Sequence, residues 1–188
     1  MEDERGRGFI DGFRFPWSTI DEWLAGLTQR YVDRRASSGV VLPALLRDAV
    51  FHSLAAFGLC VLLSFLTEPP RTVGVFLLCF LFVLPGDLRQ WRKHASRATA
   101  EWSQELAATC MVEAEIRKRR FLWLRIMCLL CFVAETMAFF IRPGSMTPTD
   151  GGGFLMILVF AARLYLERAQ PRSPGQRRQA YGKLAHQL

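Results

Sequence analysis

Four blocks of nearly unbroken apolar residues, each bordered by charge or by proline and glycine, leave few folds open to this chain. The first, AVFHSLAAFGLCVLLSFLT from Ala49 to Thr67, can cross about 30 Å of hydrocarbon as a helix rising ~1.5 Å per residue. The turn EPPR follows, and its two prolines end the helix. The second block, TVGVFLLCFLFVLPG from Thr72 to Gly86, is short for a crossing unless the helix continues past Pro85 with a kink or the bilayer thins around it. The third is FLWLRIMCLLCFVAETMAFFI, Phe121 to Ile141. The turn RPGSMTPTDGGG leads to the fourth, residues 153–168, built on FLMILVFAARLYL and again short. Inside a bilayer a helix satisfies every backbone N–H and C=O within the segment. The expectation is an all-α integral membrane protein with four transmembrane helices in two antiparallel hairpins, residues 49–86 and 121–168.

Charge supports insertion and gives a direction. The 188 residues are 51% hydrophobic with a mean hydropathy of +0.16, yet carry a net charge of +7, because the charges are packed between the apolar blocks. Near the blocks, Arg30, Arg34, Arg35 and Arg47 precede the first, eight Lys and Arg residues from Arg89 to Arg120 separate the second from the third, and five from Arg168 to Lys183 lie at and beyond the end of the fourth, seventeen altogether. Two, Arg71 and Arg142, fall in the short turns. The positive-inside rule therefore predicts both termini and the central segment on the cytoplasmic side, or its organellar equivalent. The start MEDERGRGF is acidic and has neither the apolar core of a secretory signal nor the acid-poor pattern of a transit peptide. The chain has no asparagine, which excludes N-linked glycosylation. Its five cysteines lie mostly in apolar blocks and imply no disulfide framework.

Two amphipathic segments accompany the spans. After an acidic tail (residues 1–16), Ile20, Trp23, Leu24, Leu27 and Tyr31 share one face of a helix over 17–36, with Thr19 and Glu22 as a capping box. Trp17, Trp23 and Leu27 are predicted to contact a headgroup layer or a protein partner. Residues 87–120 read as one long polar helix between the hairpins. Its seam of Leu88, Trp91, Ala95, Ala98, Trp102, Leu106 and Cys110 is spaced for a helical partner, with Trp91, Trp102 and Leu106 as the contacts. A basic tail, 169–188, closes the chain.

Four polar residues interrupt the spans. Arg125 lies about one turn beyond the basic run and is placed to snorkel back to the headgroups. Arg163 has Glu167 as an i,i+4 partner. His52, the one histidine in a block, reads as interfacial or packed between helices. Glu135 lies roughly 9 Å from the outer end of its span, too deep for a short side chain to reach water. It is expected to be protonated, paired with a group such as Arg163, or turned toward another polypeptide. The run Arg117, Lys118, Arg119, Arg120 suits anionic lipid headgroups at about 1 kcal/mol per cation and also acts as an orientation signal. Cys128 and Cys131 form a C-x-x-C inside an apolar helix, without the exposed, electropositive setting that a reactive thiolate needs.

No Walker A loop, dinucleotide fingerprint, zinc-protease motif or nucleophile elbow occurs. No catalytic, cofactor or metal residues are predicted, nor a nucleic-acid surface, since the basic residues border spans; bound lipid is expected. The first functional expectation is a non-catalytic accessory subunit of a larger membrane complex, partnered by other membrane subunits and by lipid. Two apolar hairpins, an amphipathic helix and cytosolic termini also resemble, in hydropathy layout, the reticulon-type membrane-shaping proteins. That resemblance implies shallow hairpins that bend a membrane. An ion or proton pathway through Glu135 is the third expectation.

Overall fold

The computed structural model describes residues 16–100, 103–141, 144 and 147–171, without the side chains of residues 16, 17, 119 and 120. The described residues are helical throughout, in the order α1 (Pro16–Ser37), α2 (Leu42–Thr67), α3 (Pro70–Ala98), α4 (Gln104–Arg120), α5 (Leu122–Ile141) and α6 (Pro148–Arg168). Helices α2, α3, α5 and α6 are long and apolar enough to cross a membrane. Their outer surfaces suit hydrocarbon: Phe82 is 89% exposed and Leu66 81%, which an aqueous surface accommodates poorly at this density.

Local chemistry sets the helix ends. Gly39, at φ +85°, closes α1 with a Schellman pair, Gly39 N–H to the Ala36 carbonyl and Val40 N–H to the Arg35 carbonyl. Pro69 and Pro70 part α2 from α3. The two helices pack along each other, and the rings of Phe57 and Phe80 meet edge-on at 5.4 Å.

Of the alternatives open for the short second block, α3 takes continuation past Pro85: the helix is 29 residues long, about 44 Å. Two expectations are corrected. First, residues 87–120 are not one helix. The chain leaves the helix after Ala98 and α4 begins at Gln104, turned so that Glu113 of α4 meets Lys93 and Arg97 of α3. The proposed seam is thereby cut in two. Second, Gly151, Gly152 and Gly153 lie within α6 rather than in a turn. A capping box between Thr147 and Asp150, with Pro148 in the first turn, starts the helix ahead of them and offsets the glycine penalty. The resulting 21 residues span about 31 Å, enough for the hydrocarbon layer.

Helix α6 also packs closely on α2. The buried residues Ser53, Ala56, Cys60 and Ser64 give α2 a face of small side chains at helical spacing, which allows close backbone approach. A β-carbon on Gly152 would lie 3.0 Å from Leu63 Cδ1 and 3.7 Å from Cys60 Cα, so a larger residue here requires the Leu63 side chain to give way by a few tenths of an ångström. Near the turns the Thr67 and Thr149 hydroxyls share a hydrogen bond. At the other end, Val32, Leu42, Leu46 and Ala169 form a small apolar core where α1, α2 and α6 meet.

Candidate functional site

Charged side chains gather at the end of the bundle where α1, α4 and the last turns of α6 come together. Asp21, on α1 and 4% exposed, is the hub of the first cluster. Arg125 of α5 donates to it through Nε at 2.8 Å and Nη2 at 3.2 Å. Tyr165 Oη of α6 donates at 2.9 Å and Arg168 Nη1 at 2.7 Å. One carboxylate thus ties together α1, α5 and α6. Burial acts to raise the Asp21 carboxyl, but hydrogen bonds from Arg125 and Tyr165 and the charges of Arg125 and Arg168 outweigh it, and the group stays below its usual value. The Arg125 guanidinium also lies 5.8 Å from the centre of the Tyr165 ring.

The second cluster joins α3 to α6. Arg163 holds Asp87 with two parallel bonds, Nη1 to Oδ2 at 2.7 Å and Nη2 to Oδ1 at 2.8 Å. Its Nε donates to Glu167 at 3.0 Å and its Nη2 also to Gln90 Oε1 at 2.8 Å. At ~100° per residue, Arg163 and Glu167 lie on one side of α6, and Tyr165 and Arg168 on the other. The first cluster combines one carboxylate with two guanidiniums and the second two carboxylates with one, so the two sides of α6 carry opposite residual charge that sums to zero.

A third cluster lies in the polar part of α3 beyond Gly86 and in α4. Glu113 accepts from Lys93 at 2.7 Å, from Arg97 at 3.3 Å and from Arg117. Burial acts to raise its carboxyl, but these cations hold it below the ordinary range. His94 beside them is 3% exposed, and burial together with Arg117, Lys93 and Arg97 pushes it down to about 4, against the opposing pull of Glu113.

The residues singled out from sequence distribute unevenly over this frame. Arg125, expected to snorkel, is 2% exposed and its guanidinium is engaged within the chain, by Asp21 and by the Lys118 carbonyl at 3.4 Å. Arg163 has the expected Glu167 and also Asp87. It is not the partner of Glu135, which forms no hydrogen bond or ion pair among the described residues and lies half-buried in a cleft with Thr136, Phe139, Gly151 and Phe154. His52 is exposed; its Nδ1 donates to the Asp48 carbonyl at 2.6 Å and its ring meets Phe51. Trp23 is 63% exposed and Leu27 also faces outward, whereas the side chain of Trp17 and the whole of Trp102 lie outside the described residues. Trp91 is half-buried. Leu106 lines a small recess with Val32, Leu42, Pro43 and Cys110 and so is used inside the chain. Arg117 is engaged by Glu113, and Lys118 approaches Glu115 at 3.8 Å. The side chains of Arg119 and Arg120 lie outside the described residues.

Sequence reading missed Asp21, Asp87 and Tyr165. The available signal was the pair of intramembrane arginines, each of which needs a carboxylate when buried. The described residues contain no group of three or more His, Cys, Asp or Glu placed to hold a metal. No protein-family profile, curated protein or solved structure matches the chain.

Proposed function

We propose that this chain is a non-catalytic subunit of a larger membrane protein assembly, built as two transmembrane hairpins, α2–α3 and α5–α6. In this reading both termini and residues 87–120 lie on the cytoplasmic side, in line with the distribution of Lys and Arg. One observation carries the proposal. Helix α1 is fixed to the bundle by a mostly polar face, through Asp21 and Gln29 with Val32 as its one fully buried apolar side chain among the described residues, while Ile20, Trp23, Leu27 and Tyr31 point away from the bundle and stay exposed. Ordinary amphipathic packing would do the reverse. A helix anchored with its aromatic stripe outward is arranged to present that stripe to something else, and aromatic side chains are favoured anchors in protein interfaces.

The test is extraction in mild detergent, native-gel separation, and comparison of wild type with Trp23→Ala/Leu27→Ala. Wild type should migrate in a defined complex, and the variant should fall to the size of the free chain while keeping its helical circular dichroism. A wild-type chain that migrates alone, or a complex indifferent to the double substitution, overturns the reading.

A further inference from the structure

At the polar end of the bundle, α1, α4 and the end of α6 enclose a recess of about 320 Å³ that the ion clusters leave unfilled. Small side chains make the room: Ala25 and Gly26 on α1 and Ala114 on α4. A β-carbon on Gly26 would meet nothing within 4 Å. The walls are tied to each other. Gln29 of α1 accepts from the Gln170 N–H at 2.9 Å and donates to the Gln170 carbonyl at 3.0 Å. The volume falls in the range of small-molecule sites, about 300–1,000 Å³, but the surface is mostly polar where such sites are usually apolar.

Four charged side chains line it, two of each sign: Glu22 of α1, Glu115 and Lys118 of α4, and Arg168 of α6. Much of their hydrogen-bonding capacity is unspent. Arg168 commits Nη1 to Asp21, and a guanidinium carries donors on all three nitrogens. Lys118 and Glu115 approach only to 3.8 Å, beyond hydrogen-bond distance. Glu22 forms no hydrogen bond or ion pair among the described residues and is exposed, so water supports its charge. The depth also matters. Lys118 lies about one turn before α5 begins at Leu122, and Arg168 is the last residue of α6. Both cations stand where the apolar spans end, the level of lipid headgroups.

This lining discriminates among ligands. A bare phosphate suits Lys118 and Arg168 but is repelled by Glu22 and Glu115, and a bare cation meets the converse. A zwitterion satisfies both pairs. Its ammonium has to carry N–H groups, because carboxylates hold it through charge-assisted hydrogen bonds. Among the described residues no aromatic ring lines the recess to receive a quaternary ammonium on its face.

We propose that this recess binds a phosphate ester bearing a primary ammonium, the chemistry of an ethanolamine phospholipid headgroup. Lys118 and Arg168 hold the phosphate, and Glu22 and Glu115 hold the ammonium. This goes beyond the subunit reading and does not depend on it.

The test is native mass spectrometry of the detergent-purified full chain with equal amounts of dioleoyl phosphatidylethanolamine, phosphatidylcholine and phosphatidylglycerol. Wild type should retain one ethanolamine lipid in preference to the other two. Glu22→Gln should weaken that lipid about tenfold, the loss of one hydrogen bond to a charged group, and abolish its advantage over the choline lipid. Lys118→Gln should weaken the ethanolamine lipid by a similar factor. Both side chains are exposed and tie no two helices together, and circular dichroism checks that each variant is folded. Equal retention of ethanolamine and choline lipids by wild type overturns the proposal, as does preference for the glycerol lipid. An ethanolamine preference that Glu22→Gln leaves intact overturns it too, since the lipid then sits elsewhere. Competition with soluble glycerophosphoethanolamine separates the two sources of this chemistry: displacement makes the free ester a ligand, and a lipid that stays bound in large excess of ester assigns the recess to the membrane. The chain is tested without partners, so the Trp23/Leu27 experiment has no bearing on the result and the two readings fail separately.

Discussion

At the scale of single residues, Asp21 is the position on which most depends. Three donors from two other helices converge on its two oxygens, and Arg125 beside it is almost wholly buried. Taking one member from a buried ion pair leaves the other uncompensated and costs about 3–5 kcal/mol. Asp21→Asn is therefore expected to destabilise the folded chain by about that amount, read by thermal or denaturant unfolding in detergent. Combining it with Arg125→Gln should recover part of the loss, since the stranded guanidinium is gone too. Additive losses in the double variant would show that the two side chains act independently. Little in the sequence points to this pair. Asp21 reads as an ordinary polar residue beside an apolar stripe, and its partner lies 104 residues away.

At the scale of elements, what could be read from the sequence followed from local chemistry. The apolar run of α5 is complete within itself, and its helix, Leu122–Ile141, begins one residue after the predicted start. The start of α6 was hidden because a glycine triplet looks like a turn, and only the contact of Gly152 with α2 shows why glycine is tolerated there. The break between α3 and α4 was hidden as well, since Ala98 to Ser103 contains neither proline nor glycine. Helix α4 is held back by its packing on α6 and α5, with Ala107 and Ala114 buried, and the ion pairs from Glu113 to Lys93 and Arg97 tie it to a stretch of α3 well separated along the chain.

That fold-back carries a pH response through His94. Because burial holds its proton affinity at about pH 4 against 6.5 for an unperturbed imidazole, the unfolded chain binds a proton in this window that the folded chain refuses. Stability should be complete above pH 6.5, decline as the pH falls toward 4, and level off below. The full difference is roughly 3 kcal/mol. Denaturant unfolding of wild type and His94→Gln between pH 7.5 and 4.5 checks this: the decline should be smaller in the variant by that margin. Equal slopes would place His94 outside the packed interface.

For the whole molecule, the division of charge predicts a topology that labelling can read. In a background with Cys60, Cys79, Cys110, Cys128 and Cys131 replaced, Glu68→Cys and Gly144→Cys should react with a membrane-impermeant maleimide from the outside of intact cells. Cysteines introduced at Arg34 and Glu115 should react only after the membrane is opened. Protection of Glu68→Cys and Gly144→Cys from outside would mean that the hairpins turn within the bilayer, the arrangement of a membrane-bending wedge.

Helix α6 packs on α1, α2, α4 and α5 and holds α3 through Arg163. It is also the last of the six helices to leave the ribosome. Until it arrives, Asp87 lacks its guanidinium and Asp21 has only one of its two cationic partners. The helices before α6 therefore form an incomplete set whose buried charges are matched only when α6 packs against them. Assembly of the charged clusters therefore waits on α6, and a chain cut short before Pro148 would leave Asp87 without its guanidinium and Asp21 with Arg125 as its one cation.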